Sequence, residues 1–284
     1  MPSLHDLESR FISDLSSLYD PGEIRSIYLW LAEAVLKQSQ LHLRLHKDQA
    51  ISPQQQRQML EYLKELQAGK PLQYVLGYAY FDGRKFLVNP DVLIPRPETE
   101  ELVHLALESP KAPFSRILDI GTGSGCIPVT MKLACPDAEV HAWDISPKAL
   151  EIAESNARMH QADISYKEVD ILNPQGPLPS DFDCIISNPP YILRSERPDM
   201  HTNVLDFEPD IALFVKNEEA LVFYKAIAKF AKNALSPQGF VFLECNRQFA
   251  GNIKDLLIEM NFEEVSIYKD MQGSARFVSA QQPA

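Results

Sequence analysis

The sequence predicts an α/β protein, a doubly wound sheet preceded by a small N-terminal helical bundle and a connecting β-hairpin, and three observations lead to that expectation. Short apolar runs at Arg116 to Ile120, Glu139 to Asp144, Ile164 to Val169 and Phe182 to Ile186 read as buried strands. The first of them runs directly into Gly121-Thr122-Gly123-Ser124-Gly125, after which Cys126 to Ala134 can form a helix. The amino-terminal part instead places its apolar residues at helical spacing.

Leu4, Leu7, Phe11, Leu15 and Leu18 fall on one face of a first helix. Asp20 and Pro21 suit the N-cap and first position of a second, which carries Ile24, Ile27, Leu31 and Val35. Ser52-Pro53 opens another, through Met59, Leu63 and Leu66, and Gly69 suits its carboxyl-terminal cap. A bundle of four or five helices over residues 1–70 follows, its stripes forming a core and its surface available to a macromolecular partner. Residues 71–96 read as a linker hairpin with Asp82-Gly83 as its turn, and residues 97–284, opening with a helix near Pro97, as the sheet domain.

Glycines let the turn after the first strand close tightly and approach a ligand. A dinucleotide site of the G-x-G-x-x-G kind wants glycine at position 126, where this chain has Cys126, and Pro128 fits the following helix only near its first turn. The second strand ends at Asp144, where a doubly wound fold brings a carboxylate to ribose hydroxyls. Ser146-Pro147 already provide the N-cap and first position of the next helix, which frees Asp144 for a ligand. The third strand ends at Asp170-Ile171.

The fourth strand leads into Ser187-Asn188-Pro189-Pro190-Tyr191. Proline cannot donate a ladder hydrogen bond, so Pro189 and Pro190 lie beyond the sheet edge and leave the carbonyls of the turn free to accept. Asn188 adds an amide with donor and acceptor, and Tyr191 a flat aromatic face. Together they can grip a planar group that carries an NH2.

A chain of 284 residues, 45% hydrophobic and 23% charged, suffices for one large core and a smaller attached domain. Cys126, Cys135, Cys184 and Cys245 form no C-x-x-C pair and read as reduced thiols of a cytoplasmic protein. The start, Met1 to Asp6, lacks the basic region and apolar stretch of a signal peptide, and no apolar run is long enough for a membrane span. The net charge of −12 is uneven: residues 1–70 hold 8 basic and 9 acidic side chains, residues 71–284 hold 19 and 30. A surface of that sign repels bare nucleic acid and tilts the choice toward a protein substrate. His104, His141, His160 and His201 are too scattered for a metal site.

The G-x-G-x-G spacing with an acid two residues before it resembles the S-adenosylmethionine loop of class I methyltransferases. Asn-Pro-Pro-Tyr after a strand resembles the substrate motif of those members that methylate a nitrogen conjugated to a carbonyl or ring, as in glutamine amides, adenine or guanine. The order of a helical amino-terminal domain, Pro71-Leu72-Gln73-Tyr74, Ile94-Pro95-Arg96-Pro97-Glu98-Thr99-Glu100, the glycine loop and Asn-Pro-Pro-Tyr is similar to the protein-(glutamine-N5) methyltransferases of peptide chain release factors. Similarity continues through Phe207-Glu208-Pro209, Glu219 to Tyr224, Leu235 to Gly239, Lys269 to Gly273 and Arg276-Phe277.

The resemblance implies a Rossmann-like sheet of about seven strands, the last antiparallel, its later strands at Phe240 to Glu244, Val265 to Tyr268 and Arg276 to Ser279. It implies S-adenosylmethionine held by Asp119 near the methionine amino group, by Gly121, Thr122, Gly123, Ser124 and Gly125, by Asp144, and by Asp170 with Ile171 near the adenine. Asn188 then floors the cleft toward which the sulfonium points. The implied substrate is the glutamine of the Gly-Gly-Gln loop of a release factor, gripped by Asn188, Pro189, Pro190 and Tyr191; a monomer is the default expectation, and the charge and the apolar runs point to no direct contact with nucleic acid or membrane.

Two stretches depart from the family pattern: Glu244-Cys245-Asn246-Arg247-Gln248, where Glu-Ile-Gly is usual, and Lys216-Asn217-Glu218, where a Gly-Gly or Gly-Asp pair is common. Two other readings stand beside this one. A base-methylating enzyme would use the same cradle for a flipped base, but wants a Lys/Arg-rich face that this chain lacks. A non-catalytic binding module would keep the glycine loop, yet gives no reason for Asn188 and Tyr191 at a strand end. The polar stretch Ile192 to Asp210, with Arg194, Arg197 and His201, reads equally as a flap that orders over substrate or as a surface loop.

Overall fold

The computed structural model describes residues 3–284, apart from the Asp199 side chain. Met1 and Pro2, the start of the stretch read as lacking a leader, lie outside the described residues. The chain forms two compact units: residues up to Tyr78 together with His201–Phe207, and Ala79–Met200 together with Glu208–Ala284.

The first unit is helical: α1 (Leu4–Leu15), α2 (Pro21–Leu36), α3 (Gln40–Leu45), α4 (Pro53–Gln67) and α5 (Leu72–Leu76). Side-chain caps start the helices where the sequence places them. Asp20 accepts from the Gly22 and Glu23 amides, and Ser52 and Gln55 form a reciprocal capping box. Gly69 sits just past α4 at φ 87°, a left-handed turn that only glycine adopts without cost. The stripes close into one core around Phe11, Leu15, Ile24, Leu31, Met59 and Leu63. Leu18 is a correction: α1 stops at Leu15, the chain turns there to reach the Asp20 cap, and Leu18 is left exposed.

The expected hairpin follows, β1 (Tyr78–Phe81), which enters the second unit at Ala79, and β2 (Arg84–Leu87); its turn residues Asp82 and Gly83 both have positive φ, 49° and 69°. Then follow α6 (Pro97–Leu107), β3 (Arg116–Ile120), α7 (Cys126–Ala134), β4 (Glu139–Asp144), α8 (Pro147–His160), β5 (Ser165–Glu168) and β6 (Phe182–Ser187). Beyond these, β7 (Ile192–Leu193) precedes α9 (Thr202–Phe207), which belongs to the first unit, then α10 (Asp210–Leu213) and β8 (Phe214–Val215). Last come α11 (Val222–Ala234), β9 (Leu235–Glu244), α12 (Ala250–Glu259), β10 (Glu263–Lys269) and β11 (Ala275–Gln281).

Seven strands form one sheet in the order β10-β11-β9-β6-β3-β4-β5, with β11 antiparallel to both its neighbours and the other pairs parallel. The doubly wound, seven-stranded class I methyltransferase architecture expected from the sequence is present, its last strand antiparallel. β9 starts earlier than expected, at Leu235, because that end still pairs with Phe182 before a register shift.

Alternation along the strands supplies two cores. Leu118, Ile185, Val241 and Leu243 meet Tyr224, Ile227, Ile253 and Leu257 of α11 and α12 on one face. Ile117, Cys184, Ile186 and Phe242 meet Leu102, Val103, Ile127 and Val129 of α6 and α7 on the other, where Phe81 and Phe86 of the hairpin also insert. Strand order reverses between β3 and β6, so the loops after these two strands open into one crevice. Among the described residues no helix is long and apolar enough to cross a membrane.

Candidate active site

The crevice holds a cavity of about 260 Å³. Its walls include Gly121 and Gly123 of the glycine loop, Asp144, Asp170 and Ile171 after the next two strands, and Asn188, Pro189 and Pro190 after β6. These residues are far apart in sequence and meet because parallel strands end on one edge of the sheet.

The glycine loop is anchored from three sides. Gly121 and Thr122 donate to the Trp143 carbonyl at 2.8 and 2.9 Å. Gly125 adopts φ 78°, and a Cβ there would come within 2.9 Å of the Ala153 Cβ, so glycine is required by both backbone and packing. Asn156, buried on α8, donates to the Ser124 carbonyl at 2.8 Å while pairing with both backbone groups of Leu87, and thus ties the hairpin to the loop.

Asp144 is not free in the sense the sequence reading gave it. Its carboxylate accepts the Gly123 and Ser146 amides, each at 2.9 Å, and so fixes the loop against the start of α8 while still lining the cavity. The Ser146 hydroxyl caps α8 as expected, but that cap does not satisfy the Ser146 amide. Burial raises the Asp144 pKa, with the Ser146 and Gly123 amides working against it.

Asp119, Thr122, Ser124 and Gly125 lie beneath the cavity wall rather than on it. The Asp119 carboxylate is fully buried, and neither oxygen has a hydrogen-bond partner among the described residues. Burial pushes its pKa up to about 7, Thr122 opposing and the Asp144 charge adding to the rise. A buried, unpartnered carboxylate beside a glycine loop is costly to the fold and suited to a cationic ligand.

Tyr191 also stands off the cavity. Its hydroxyl donates to Glu244 Oε1 at 3.0 Å, and its ring packs on the core under β9. The Thr99 hydroxyl donates to the other oxygen, Oε2, at 2.8 Å, and Asn188 Nδ2 donates to Thr99 Oγ1 at 3.0 Å. Glu244 is buried at the carboxyl end of β9, which pushes its pKa up to about 7 although both hydroxyls and the Arg276 charge favour the carboxylate. Burial, and then the Glu244 charge, raise the Tyr191 pKa.

The cavity has further walls that motif reading passed over. Asp91, Val92 and Leu93 come from the stretch after the hairpin, Pro209, Ile211 and Ala212 from around α10, and Phe223 and Ile227 from α11. Glu208 holds two of these walls together, accepting from the Arg96 guanidinium and from the Ile94 amide. The stretch read as a polar flap or loop is largely ordered as β7, a 3-10 helix over Arg194–Asp199, and helices α9 and α10. Asn246, where the family pattern has glycine, donates to Glu196 Oε1 at 3.1 Å and caps the Gln248 amide. Among the described residues no group of His, Cys, Asp and Glu is placed to hold a metal ion.

Residues 101–206 match the methyltransferase small domain family and residues 9–77 the PrmC N-terminal domain. The release factor glutamine methyltransferase of Bacteroides thetaiotaomicron is 40% identical, with 94% of this chain and 95% of that one covered. That of Flavobacterium psychrophilum is 38% identical over 97% and 98%, and that of Bacillus subtilis 34% over 94% and 90%. Among solved structures, a methyltransferase from Pyrococcus furiosus shares the fold at 17% identity and TM-score 0.52, over 82% of this chain and 100% of that one. With identity of this level running over nearly the whole of each curated relative, this chain is an enzyme that belongs to the release factor glutamine methyltransferase family.

Proposed function

We infer that this protein transfers a methyl group from S-adenosylmethionine to the side-chain amide nitrogen, N5, of the glutamine in the Gly-Gly-Gln motif of peptide chain release factors. The observation that carries the reading is the Asn188 carboxamide, held by its nitrogen on Thr99 at the floor of a cavity that also contains the glycine loop. The methyl donor fits these residues. The unpartnered Asp119 carboxylate matches an ammonium group, the Gly121–Gly125 loop a close-packed polar ligand, Asp144 a pair of ribose hydroxyls, and Asp170 with Ile171 the adenine.

When bound, S-adenosylmethionine supplies a methyl group on a sulfonium, an electrophile open to in-line displacement. The work left to the protein is to prepare an amide nitrogen whose lone pair is delocalised. Asn188 Oδ1 and the Pro189 carbonyl accept its two N–H bonds, which turns the lone pair toward the electrophile, while Pro190 lines the slot and Tyr191, anchored on Glu244, holds the turn from behind it. Once methylated, the nitrogen is strongly acidic and gives its proton to Asn188 or water, so no side chain has to act as a general base. The helical residues 1–70 contact the substrate protein, residues 71–96 link them to the sheet, and residues 97–284 carry the chemistry in a cytoplasmic monomer.

The test is incubation with labelled S-adenosylmethionine and a release factor, or its Gln→Ala variant in the Gly-Gly-Gln loop, followed by location of the methyl group by mass. Label on that glutamine, absent from the variant and with Asn188→Ala enzyme, supports the reading. Label on ribosomal RNA or DNA instead would replace it with the base-methylating one.

A further inference from the structure

We propose that Thr99 and Glu244 are positioning residues that lock the Asn188 carboxamide with its oxygen toward the cavity, so that the site takes N–H donors and refuses carboxylates. This deepens the glutamine reading and rests on it for the choice of substrate. The proposal follows from the count of protons along the chain of contacts. Glu244 offers only lone pairs when ionised, and it accepts from Tyr191 at 3.0 Å and from Thr99 at 2.8 Å. The single Thr99 proton is thereby committed, so its oxygen can only accept. Asn188 can meet it only with its NH2 arm, as it does at 3.0 Å, and the carbonyl arm is left for the cavity that Asn188 lines. Without Thr99 the carboxamide could turn over at little cost, because its two arms have nearly the same shape.

Neither Thr99 nor Glu244 lines the cavity, so their effect passes through Asn188. Both lie in stretches that motif reading treats as helix start and strand end: Thr99 in the first turn of α6, Glu244 as the last residue of β9. The direction of the lock depends on the charge of Glu244, since a protonated carboxyl has a proton of its own to give to Thr99. The Thr99 hydroxyl would then be free to donate to the Asn188 oxygen, and the carboxamide would reverse. Facing Glu244 are Glu98 of α6, which favours protonation, Arg276 of β11, which opposes it, the hydroxyl of Tyr191, and Tyr224 of α11, which donates to the Glu244 backbone carbonyl at 3.1 Å. With the Glu244 pKa raised to about 7 by burial, the lock is set above neutrality and released as pH falls.

The experiment compares Thr99→Val, which keeps shape and removes the hydroxyl, with Thr99→Ser, which restores it, and with Glu244→Gln. Three readouts are taken. First, in the free enzyme, hydrogen exchange of the Asn188 side-chain NH2, its resonance assigned by its loss in Asn188→Ala, is expected to speed up about 10-fold or more in Thr99→Val and to return in Thr99→Ser. Second, at saturating methyl donor, kcat on a release factor is expected to drop on the order of 100-fold in Thr99→Val, with donor Kd unchanged. The wild-type kcat should decline on the acid side of neutrality, a limb that Glu244→Gln flattens. Third, a release factor with Gln→Glu in its Gly-Gly-Gln loop should inhibit Thr99→Val about 10-fold better than wild type.

Unchanged NH2 exchange in a folded Thr99→Val enzyme would overturn the lock, whatever the substrate proves to be. A wild-type enzyme inert toward release factors, with the exchange effect intact, would overturn the glutamine reading and leave the lock standing.

Discussion

The Arg96 guanidinium donates from Nη2 to the Glu208 carboxylate, whose side chain is only 1% exposed, and the pair joins the stretch after the hairpin to the stretch that enters α10. The same carboxylate accepts the Ile94 amide, so Leu93 on one side and Pro209 on the other are drawn together as walls of the cavity.

Breaking this pair from one side should therefore cost both stability and ligand affinity. Arg96→Ala leaves Glu208 buried without its counter-charge, and urea unfolding should show a loss of about 3 kcal/mol. The double variant Arg96→Ala/Glu208→Gln should recover most of it, because the uncompensated charge is gone. If the single variant unfolds at the wild-type midpoint, the pair does not hold the walls.

Asp119 should behave as a residue whose burial strains the fold. Its folded pKa, about 7, is above its ordinary value of 3.8, so the native state holds the proton more tightly and stability falls as pH rises between these values. Asp119→Asn should therefore be more stable than wild type at pH 8, by about 1–3 kcal/mol, and equal to it near pH 4. Calorimetric titration with S-adenosylmethionine should show binding weakened roughly 10- to 100-fold in the same variant. A variant that binds normally would remove Asp119 from the ammonium site.

Gly125→Ala should destabilise by about 1–3 kcal/mol, because a side chain at φ 78° is strained and its Cβ meets Ala153 at 2.9 Å. Adding Ala153→Gly removes the Cβ contact but leaves the residue 153 Cα at 3.0 Å and the strained backbone, so thermal unfolding of the double variant should show partial recovery only. Full recovery would mean that packing alone requires the glycine.

Asn156→Ala should cost about 1–3 kcal/mol, since it strands the buried Ser124 carbonyl and removes the partner of the half-covered Leu87 amide. The same change should raise amide exchange at Leu87 and in the glycine loop while leaving β9 and β11 protected. Uniform loss of protection would instead mark Asn156 as a general core residue.

The four strands β3 to β6, the hairpin turn at Asp82-Gly83, the caps at Asp20 and Ser52 and the start of α6 at Pro97 were legible because each is fixed by residues within a few positions of one another, whereas the last three strands came from the family resemblance, which missed the start of β9 at Leu235. So were the glycine loop after β3 and Asn188 after β6, whose meeting follows from parallel strands that share an edge. The limits of local reading show at Leu18, where a turn overrode a helical stripe, and at Asp144, where the second acceptor contact comes from Gly123.

What the sequence by itself determined is the main N-terminal helices, the hairpin, the strands β3 to β6 and the two motifs at the ends of β3 and β6, since local propensity and a two-residue or helical period need no distant partner. What only the tertiary structure decided is how the motif side chains are held: Asn188 on Thr99 and Thr99 on Glu244, Asn156 on Ser124, Arg96 on Glu208. Those contacts join positions up to 145 residues apart, and they exist only because burial leaves each polar group one satisfied arrangement once the sheet and its helices have closed.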